Sequence, residues 1–243
     1  MNAIEQRVEN ESKTREQLAF ANKELERITY AISHDLKAPL RAVQNFSRIV
    51  AEDYASELDK DGKRYLEIIH SSSQLLGKYI DSLLSYSRFL RQPLTVGSVN
   101  MQEKVEPLIC DLKASEKERQ IEFHVRPLPA VLGDEESITR IWKSILENAV
   151  KFTRNRNPAQ IEIGAQCDGP DVLYFIKDNG EGFEMRHSDK LFGLFQRLHG
   201  SEFEGIGANL AIAQMLLQRQ GGKIWAESAG GTGATFYFTL PAA

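Results

Sequence analysis

Apolar residues recur at steps of three and four along residues 1–91. One stripe runs through Leu18, Ala21, Leu25, Ile28 and Ile32. Upstream the same register holds Ile4, Arg7, Glu11 and Thr14, so that seam weakens toward the start. A second stripe runs through Tyr65, Ile69, Ser72, Leu76, Tyr79, Leu83, Tyr86 and Leu90. This spacing predicts two long helices of a coiled coil or bundle. Between them "ELDKDGKR" predicts a polar turn containing Gly62, and a short connection makes the pair an antiparallel hairpin. A lone hairpin cannot cover both stripes. Two hairpins from two chains can, as a four-helix bundle, so the pattern predicts a homodimer. Tyr65, Tyr79 and Tyr86 are expected in its core.

The texture changes at "FLRQPLTVGSV", where Pro93 and Gly97 break the helical period. Beyond it, "IEFHV", "QIEIGAQ", "VLYFIKD", "GKIWAES" and "ATFYFTL" are short, β-branched or aromatic strand candidates. They are interleaved with the helical stretches "MQEKVEPLICDLKASEKE", "EESITRIWKSILENAVKFT" and "IGANLAIAQMLLQRQ", the last closed by Gly221 and Gly222. Helices grouped over a mostly antiparallel sheet make an α/β sandwich, so the chain as a whole reads as α+β. Trp142 and Trp225 are expected to pack the sandwich core, and "EKERQ" to be a solvated helix end.

Composition narrows the function classes without choosing one. The 243 residues are 42% hydrophobic and 26% charged, an ordinary soluble balance. A net charge of -4 gives no support to bulk nucleic-acid binding. Cys110 and Cys167 have no ligand spacing, so neither a zinc site nor a disulfide framework is expected, and a reducing compartment is the default. No apolar stretch approaches the ~20 residues that span a bilayer. The charged N-terminus "MNAIEQRVENESKTREQ" has no signal-peptide core.

The candidate chemistry begins at "ITYAISHDLKAPLRAV". His34 precedes Asp35, and Pro39 removes the amide that would bond the Asp35 carbonyl, so the helix can bend there. A neutral imidazole is a nucleophile near pH 7, and an adjacent carboxylate can hold its tautomer and take up its proton. On this stretch alone, that reading and a surface histidine beside a tolerated kink weigh equally. In "ILENAVKFT", Asn148 can ligate Mg²⁺ and Lys151 can meet phosphate. In "IKDNGEGFE", Asp178 ends a strand and can accept from an exocyclic amine, with glycines to admit a flat ring. In "EGIGANLAI", Gly205 and Gly207 lead into a helix whose free amides suit a polyphosphate.

In this order and spacing the motifs resemble the core of a sensor histidine kinase. "SHDLKAPL" resembles the phospho-acceptor H box, "LENAVKFT" the N box, "DNGEGF" the G1 box, "KLFGLFQRL" the F box and "GIGANLA" the G2 box. "DKLFGLFQRLHGSEFEGIG" further resembles kinases linked to phytochrome-type photosensors. The resemblance implies a signalling helix over 1–25, a dimerisation and phosphotransfer hairpin over 26–92, and a Bergerat-type ATP-binding domain over 93–243. It implies an ATP- and Mg²⁺-dependent autokinase in which His34 attacks the γ-phosphorus with Asp35 as general base. Asn148 would bind Mg²⁺, Lys151 phosphate, and Phe152 would line the nucleotide site. Asp178 would bond adenine against a wall shaped by Gly180 and Gly182. Residues 184–204 would form the ATP lid, anchored by Phe192 and Phe195, with Arg197 reaching the transferring phosphoryl group and Gly205 and Gly207 beside the phosphates. The implied partners are a second copy, a response-regulator receiver domain and an upstream sensor, in the cytoplasm.

Three positions depart from the family pattern. Ser144 stands where the N box opens with asparagine, and related ATPases of this fold carry a water-activating glutamate there, so hydrolysis is not the expected activity. Asn209 replaces the third glycine of the G2 box, adding bulk beside the phosphates. Ala38 stands four residues after the histidine, where many members carry a water-orienting Thr or Asn, so weak phosphatase activity is expected. His70, His124, His187 and His199 have no partner pattern and read as structural or surface residues. Two rival functions remain at this stage. One is a non-catalytic dimeric scaffold that binds a receiver or nucleotide, supported by Ser144 and Asn209; the other is a plain ATPase of the same fold.

Overall fold

A computed structural model of the chain describes residues 3–198, 203 and 205–243. The side chains of Leu18, Ala21 and Leu25, which carry the upstream stripe, lie outside the described ones, as do His199 and part of the expected lid. The chain divides into two compact units, Met1–Arg91 and Gln92–Ala243.

The first unit is a helical hairpin of α1 (Ala3–Asp53) and α2 (Lys60–Arg91). Gly62 is not in the turn. The Asp59 carboxylate accepts the Gly62 amide at 2.7 Å, so α2 starts at Lys60 and the glycine falls in its first turn. The faces that meet within the hairpin are not the two apolar stripes. Ser33, Leu40 and Ser47 are buried on α1, and Ser73, Ile80 and Ser87 on α2. Both sets repeat every seven residues, which keeps them on one face of each helix. Gln44 donates to the Ser73 carbonyl (3.2 Å), and Lys37 pairs with Asp81 (2.7 Å). The stripes are left open. Ile28, Ile32, Leu36, Tyr65, Ile69, Leu76 and Leu90 are all exposed on the single chain. Tyr65 is 58% exposed and Tyr79 and Tyr86 are half-buried, so none of the three lies in a core within the hairpin. Small side chains, with Leu40 and Ile80 between them, bring the two helices together, and most of the apolar residues of the two stripes face away.

The second unit is an α/β sandwich. A five-stranded sheet has the order β2 (Ile121–Val125), β4 (Ala159–Asp168), β5 (Asp171–Asp178), β7 (Ala234–Pro241), β6 (Ile224–Ser228). Only β2 and β4 run parallel. Against it lie α3 (Met101–Ser115), α4 (Glu135–Phe152) and α5 (Asn209–Arg219). Val172, Tyr174 and Ile176 of β5 alternate inward, as do Phe236, Phe238 and Leu240 of β7. Trp142 of α4 meets Tyr174 and Phe238 edge-on, at 5.5 and 5.0 Å between ring centres. Its indole N–H points at the Met101 sulfur, 3.2 Å away.

Three expectations are corrected here. Trp225 is not in the core: β6 turns it to the outer face, 37% exposed, where it stacks on Tyr237 at 5.4 Å. "EKERQ" is a solvated helix end only in part: it starts at Glu116, the α3 C-cap, and Lys117, Glu118 and Gln120 are exposed. α3 stops at Ser115, and Arg119 folds back onto the C-terminus of α4, donating to the Val150 carbonyl at 3.3 Å. A second sheet of two short strands, β1 (Val96–Val99) and β3 (Val131–Asp134), was not expected from the pattern. Its far end carries Asp134, which accepts the Ser137 amide at 2.9 Å and so starts α4. The helix stop at Gly221 and Gly222 is as expected, with the Gly222 amide on the Leu217 carbonyl at 2.9 Å. Among the described residues no helix is long and apolar enough to cross a membrane.

Candidate functional site

On the hairpin, α1 holds the His34 side chain 73% exposed. Asp35 Oδ1 lies 3.2 Å from His34 Nδ1, and the Tyr30 ring stacks on the imidazole with centres 6.4 Å apart. A carboxylate on Nδ1 selects the tautomer with the proton there, leaving the lone pair on Nε2. Ala38 is exposed one turn on, and Pro39 lies inside the helix.

In the sandwich, Asp178 ends β5 and is 4% exposed. Its Oδ1 accepts two amides, from Gly180 at 2.9 Å and Ala234 at 3.2 Å, and Oδ2 has no partner among the described residues. Burial pushes this carboxyl up to about 6, against the lowering effect of the two amides. A free acceptor oxygen on a rigidly held carboxylate is what recognition of an exocyclic amine requires. Gly180 passes close to α4, since a Cβ there would lie 2.5 Å from the Phe152 carbonyl oxygen. Gly182 lies two residues further, beside Ser228.

The α4 side of this region carries the cation and metal candidates. Asn148 is 8% exposed, yet its carboxamide makes no hydrogen bond among the described residues. The Lys151 ammonium sits 4.2 Å from the centre of the Phe152 ring and beside Gly205. Burial first, then the charge of Arg197, lower its pKa, with Glu147 opposing. Two cations drawn together at a partly buried spot suit a polyphosphate. Ala208 caps α5 with no side-chain hydrogen bond, so no cap side chain takes up the first amides of that helix. Gly207 is at φ +71°, and a Cβ there would fall 2.0 Å from the Gln196 carbonyl oxygen. Only glycine lets these two strands of chain cross.

The F-box residues join the same cluster in part. Phe195 adopts φ +64° and donates its amide to the Gly207 carbonyl at 2.9 Å. Arg197 donates to the Phe203 carbonyl at 2.8 Å, and the Phe203 ring packs on Phe152 at 5.0 Å. Phe192 is half-buried, and no described contact ties it to Lys151 or Asp178. The departures also have places. Ser144 is buried with its hydroxyl on the Arg140 carbonyl at 2.8 Å, so it does not face a water. Asn209 opens α5 and reaches Glu147 of α4 at 3.4 Å. Gly233 was not singled out in the sequence. It is at φ +95° and its Cα packs on the Asp178 carbonyl, where a Cβ would come within 1.9 Å. The run "GGTGA" before a strand was its only signal.

Among the described residues no three His, Cys, Asp or Glu side chains gather to hold a metal by themselves. A divalent cation here fits only as one shared between the Asn148 carboxamide oxygen and ligand phosphates, the usual manner of Mg²⁺.

Comparison with known proteins agrees with both halves. Residues 24–92 match the family described as His Kinase A (phospho-acceptor) domain. Residues 133–243 match Histidine kinase-, DNA gyrase B-, and HSP90-like ATPase. Cyanobacterial phytochrome B of Nostoc sp. is 37% identical over 229 residues, covering 92% of this chain and 30% of that protein. Phytochrome-like protein Cph1 of Synechocystis sp. is 30% identical over 242 residues, covering 99% and 32%. Full-length ShkA, solved in complex with AMPPNP, superposes with a TM-score of 0.62 at 25% identity, covering 88% of this chain and 45% of that one. The chain spans about a third of the length of these curated relatives.

Proposed function

Since this chain belongs to the sensor histidine kinases and is phytochrome-like among them, we propose that it phosphorylates His34 from ATP and passes the phosphoryl group to an aspartate of a response-regulator receiver domain. His34 Nε2 attacks the γ-phosphorus in line. The N–P bond forms as the bond to the β-bridging oxygen breaks, and ADP leaves with the electron pair. The attacking ring becomes cationic, and Asp35 takes the Nδ1 proton. Asp178 holds adenine through Oδ2, and Lys151 and Arg197 offset phosphate charge. Mg²⁺, when bound, would neutralise phosphate charge, with Asn148 as its protein ligand. Catalysis is then positioning and charge neutralisation, as a loose phosphoryl-transfer transition state demands.

The observation that carries this reading is the pairing, in one chain, of an exposed imidazole oriented by Asp35 with a buried carboxylate whose second oxygen accepts no hydrogen bond among the described residues. The open apolar stripes support a working unit of two chains, in which each hairpin covers the other's stripe. We place this dimer in the cytoplasm, below an upstream sensor. Incubation of the protein with γ-labelled ATP and Mg²⁺, then phosphohistidine mapping, tests it. Label on His34 that chases onto a receiver domain is expected; a folded protein that stays unlabelled would return it to the scaffold reading. The Ser144 hydroxyl, turned into its own helix, leaves no side chain there to activate water, which speaks against plain ATP hydrolysis.

Two smaller outcomes follow from the same stretch of α1. Pro39→Ala restores an amide for the Asp35 carbonyl and stiffens the helix beside the nucleophile. Autophosphorylation should slow severalfold while chromatographic size stays that of the parent; an unchanged rate would mean the proline has no hinge role. Ala38 offers no hydroxyl or amide to a water near the phosphorylated receiver. Dephosphorylation of a receiver by this protein should therefore be slow, and Ala38→Thr should raise it at least severalfold in a phosphate-release assay.

A further inference from the structure

Resting on the nucleotide-site reading above, we propose that Arg156 is a positioning residue that sets the adenine end of the pocket by clamping two of its loops together. Arg156 lies in the turn between α4 and β4. Its Nη2 donates to two carbonyls from different segments: Gly180, after β5, at 3.1 Å, and Gly231, between β6 and β7, at 2.8 Å. These two segments also supply the amides that hold Asp178 Oδ1, from Gly180 and Ala234. The guanidinium braces the same loops that aim the carboxylate. Further bonds tie the loops to one another and to α4. The Gly231 amide donates to the Glu181 carbonyl (2.8 Å), and the Glu181 amide to the Phe152 carbonyl (3.2 Å).

Stability alone does not explain an arginine here. The side chain is half-buried, its Nε is buried with no partner, and no carboxylate among the described residues forms an ion pair with it. A stranded donor is unfavourable, and no ion pair is gained to offset it. What the guanidinium contributes is a planar, pre-organised fork that fixes two carbonyls at a set separation; a flexible ammonium holds them less rigidly. Arg156 therefore acts on the base of the nucleotide through Asp178 and not on its phosphates.

The test uses the full chain, with ADP and the non-transferable analogue adenylyl imidodiphosphate as calorimetric probes. Arg156→Gln removes the clamp and the charge; Arg156→Lys removes the fork and keeps the charge. Both are expected to weaken the two ligands by the same factor, about tenfold, the size of one lost charged hydrogen bond. The KM for ATP should rise by that factor with kcat unchanged, and amide exchange at Gly180 and Ala234 should speed up. Arg156→Lys remains informative if Arg156→Gln does not fold. Parent-like affinity in Arg156→Lys with slow exchange at those amides overturns the proposal. So does a loss larger for the triphosphate analogue than for ADP, since that is a charge effect on phosphates. If the parent protein binds neither ligand, the nucleotide-site reading itself fails, an outcome separate from parent binding with unaffected variants.

Discussion

Replacing His34 with glutamine is expected to abolish label from γ-labelled ATP while leaving nucleotide binding intact. The imidazole is on the helical hairpin, exposed, with its Nδ1 against Asp35; the groups assigned to the nucleotide are on the other unit. Glutamine matches the reach of the ring and keeps helix propensity, but its amide nitrogen has no available lone pair. The label on the parent protein should be acid-labile and base-stable, as a phosphoramidate is. In the variant it should fall below about a thousandth of the parent level, since no other side chain can replace a nucleophile. Calorimetric affinity for ADP should not move. Label that persists in the variant would assign the acceptor elsewhere. Steady phosphate release that survives the substitution would restore the ATPase reading.

Asp178→Asn should strongly weaken nucleotide binding and leave the fold at least as stable. Asparagine's Oδ1 can accept the Gly180 and Ala234 amides as the carboxylate does. Its Nδ2 then stands where Oδ2 stood, presenting a donor to the donating amine of adenine. Affinity should fall on the order of a hundredfold, because a site built to pair a polar group rejects a mismatch strongly. Stability moves the other way. Burial raises the folded-state carboxyl to about 6 from 3.8, so ionised Asp178 destabilises the apo protein at neutral pH. The stability contributed by this group is fully present below 3.8 and is lost as pH rises through about 6. At pH 7.5 the variant should gain stability, up to about 3 kcal/mol if the whole shift is expressed, and the gain should disappear in acid. In the parent, adenine affinity should drop as pH falls through about 6, because the protonated acid no longer accepts from the amine. Equal melting temperatures at pH 7.5 with unchanged affinity would show that Asp178 neither strains the apo site nor reads the base.

Much of this architecture was readable from spacing. The alternation in "VLYFIKD" and "ATFYFTL" gave β5 and β7 because one face of each is wholly buried. β1 and β3 were not readable: four residues each, one glycine apiece, too short for a period to register. On the hairpin, the apolar stripes were legible but not their partners. The contact within the chain is made by Ser33, Ser47, Ser73 and Ser87, which no hydrophobic count marks, with Leu40 and Ile80 between them. Trp225 misled because size suggests burial, whereas its place on alternating β6 turns it outward onto Tyr237. For the proposed nucleotide site the motifs pointed to Asp178, Asn148 and Lys151. The supports came only with the fold. Gly233 and Arg156 lie about 55 and 20 residues from Asp178 in sequence, and their role depends on which loops the sheet order makes adjacent.

The hydroxyl-lined inner face of the hairpin has one more effect. Ser33 buries its oxygen with no partner, and Ser47 and Ser73 return theirs to their own helices, so these three add no side-chain bond between the helices. Cohesion inside a single chain therefore rests on Leu40, Ile80, the Gln44 bond to the Ser73 carbonyl and the Lys37–Asp81 pair, and a change at any of these has little else to absorb it.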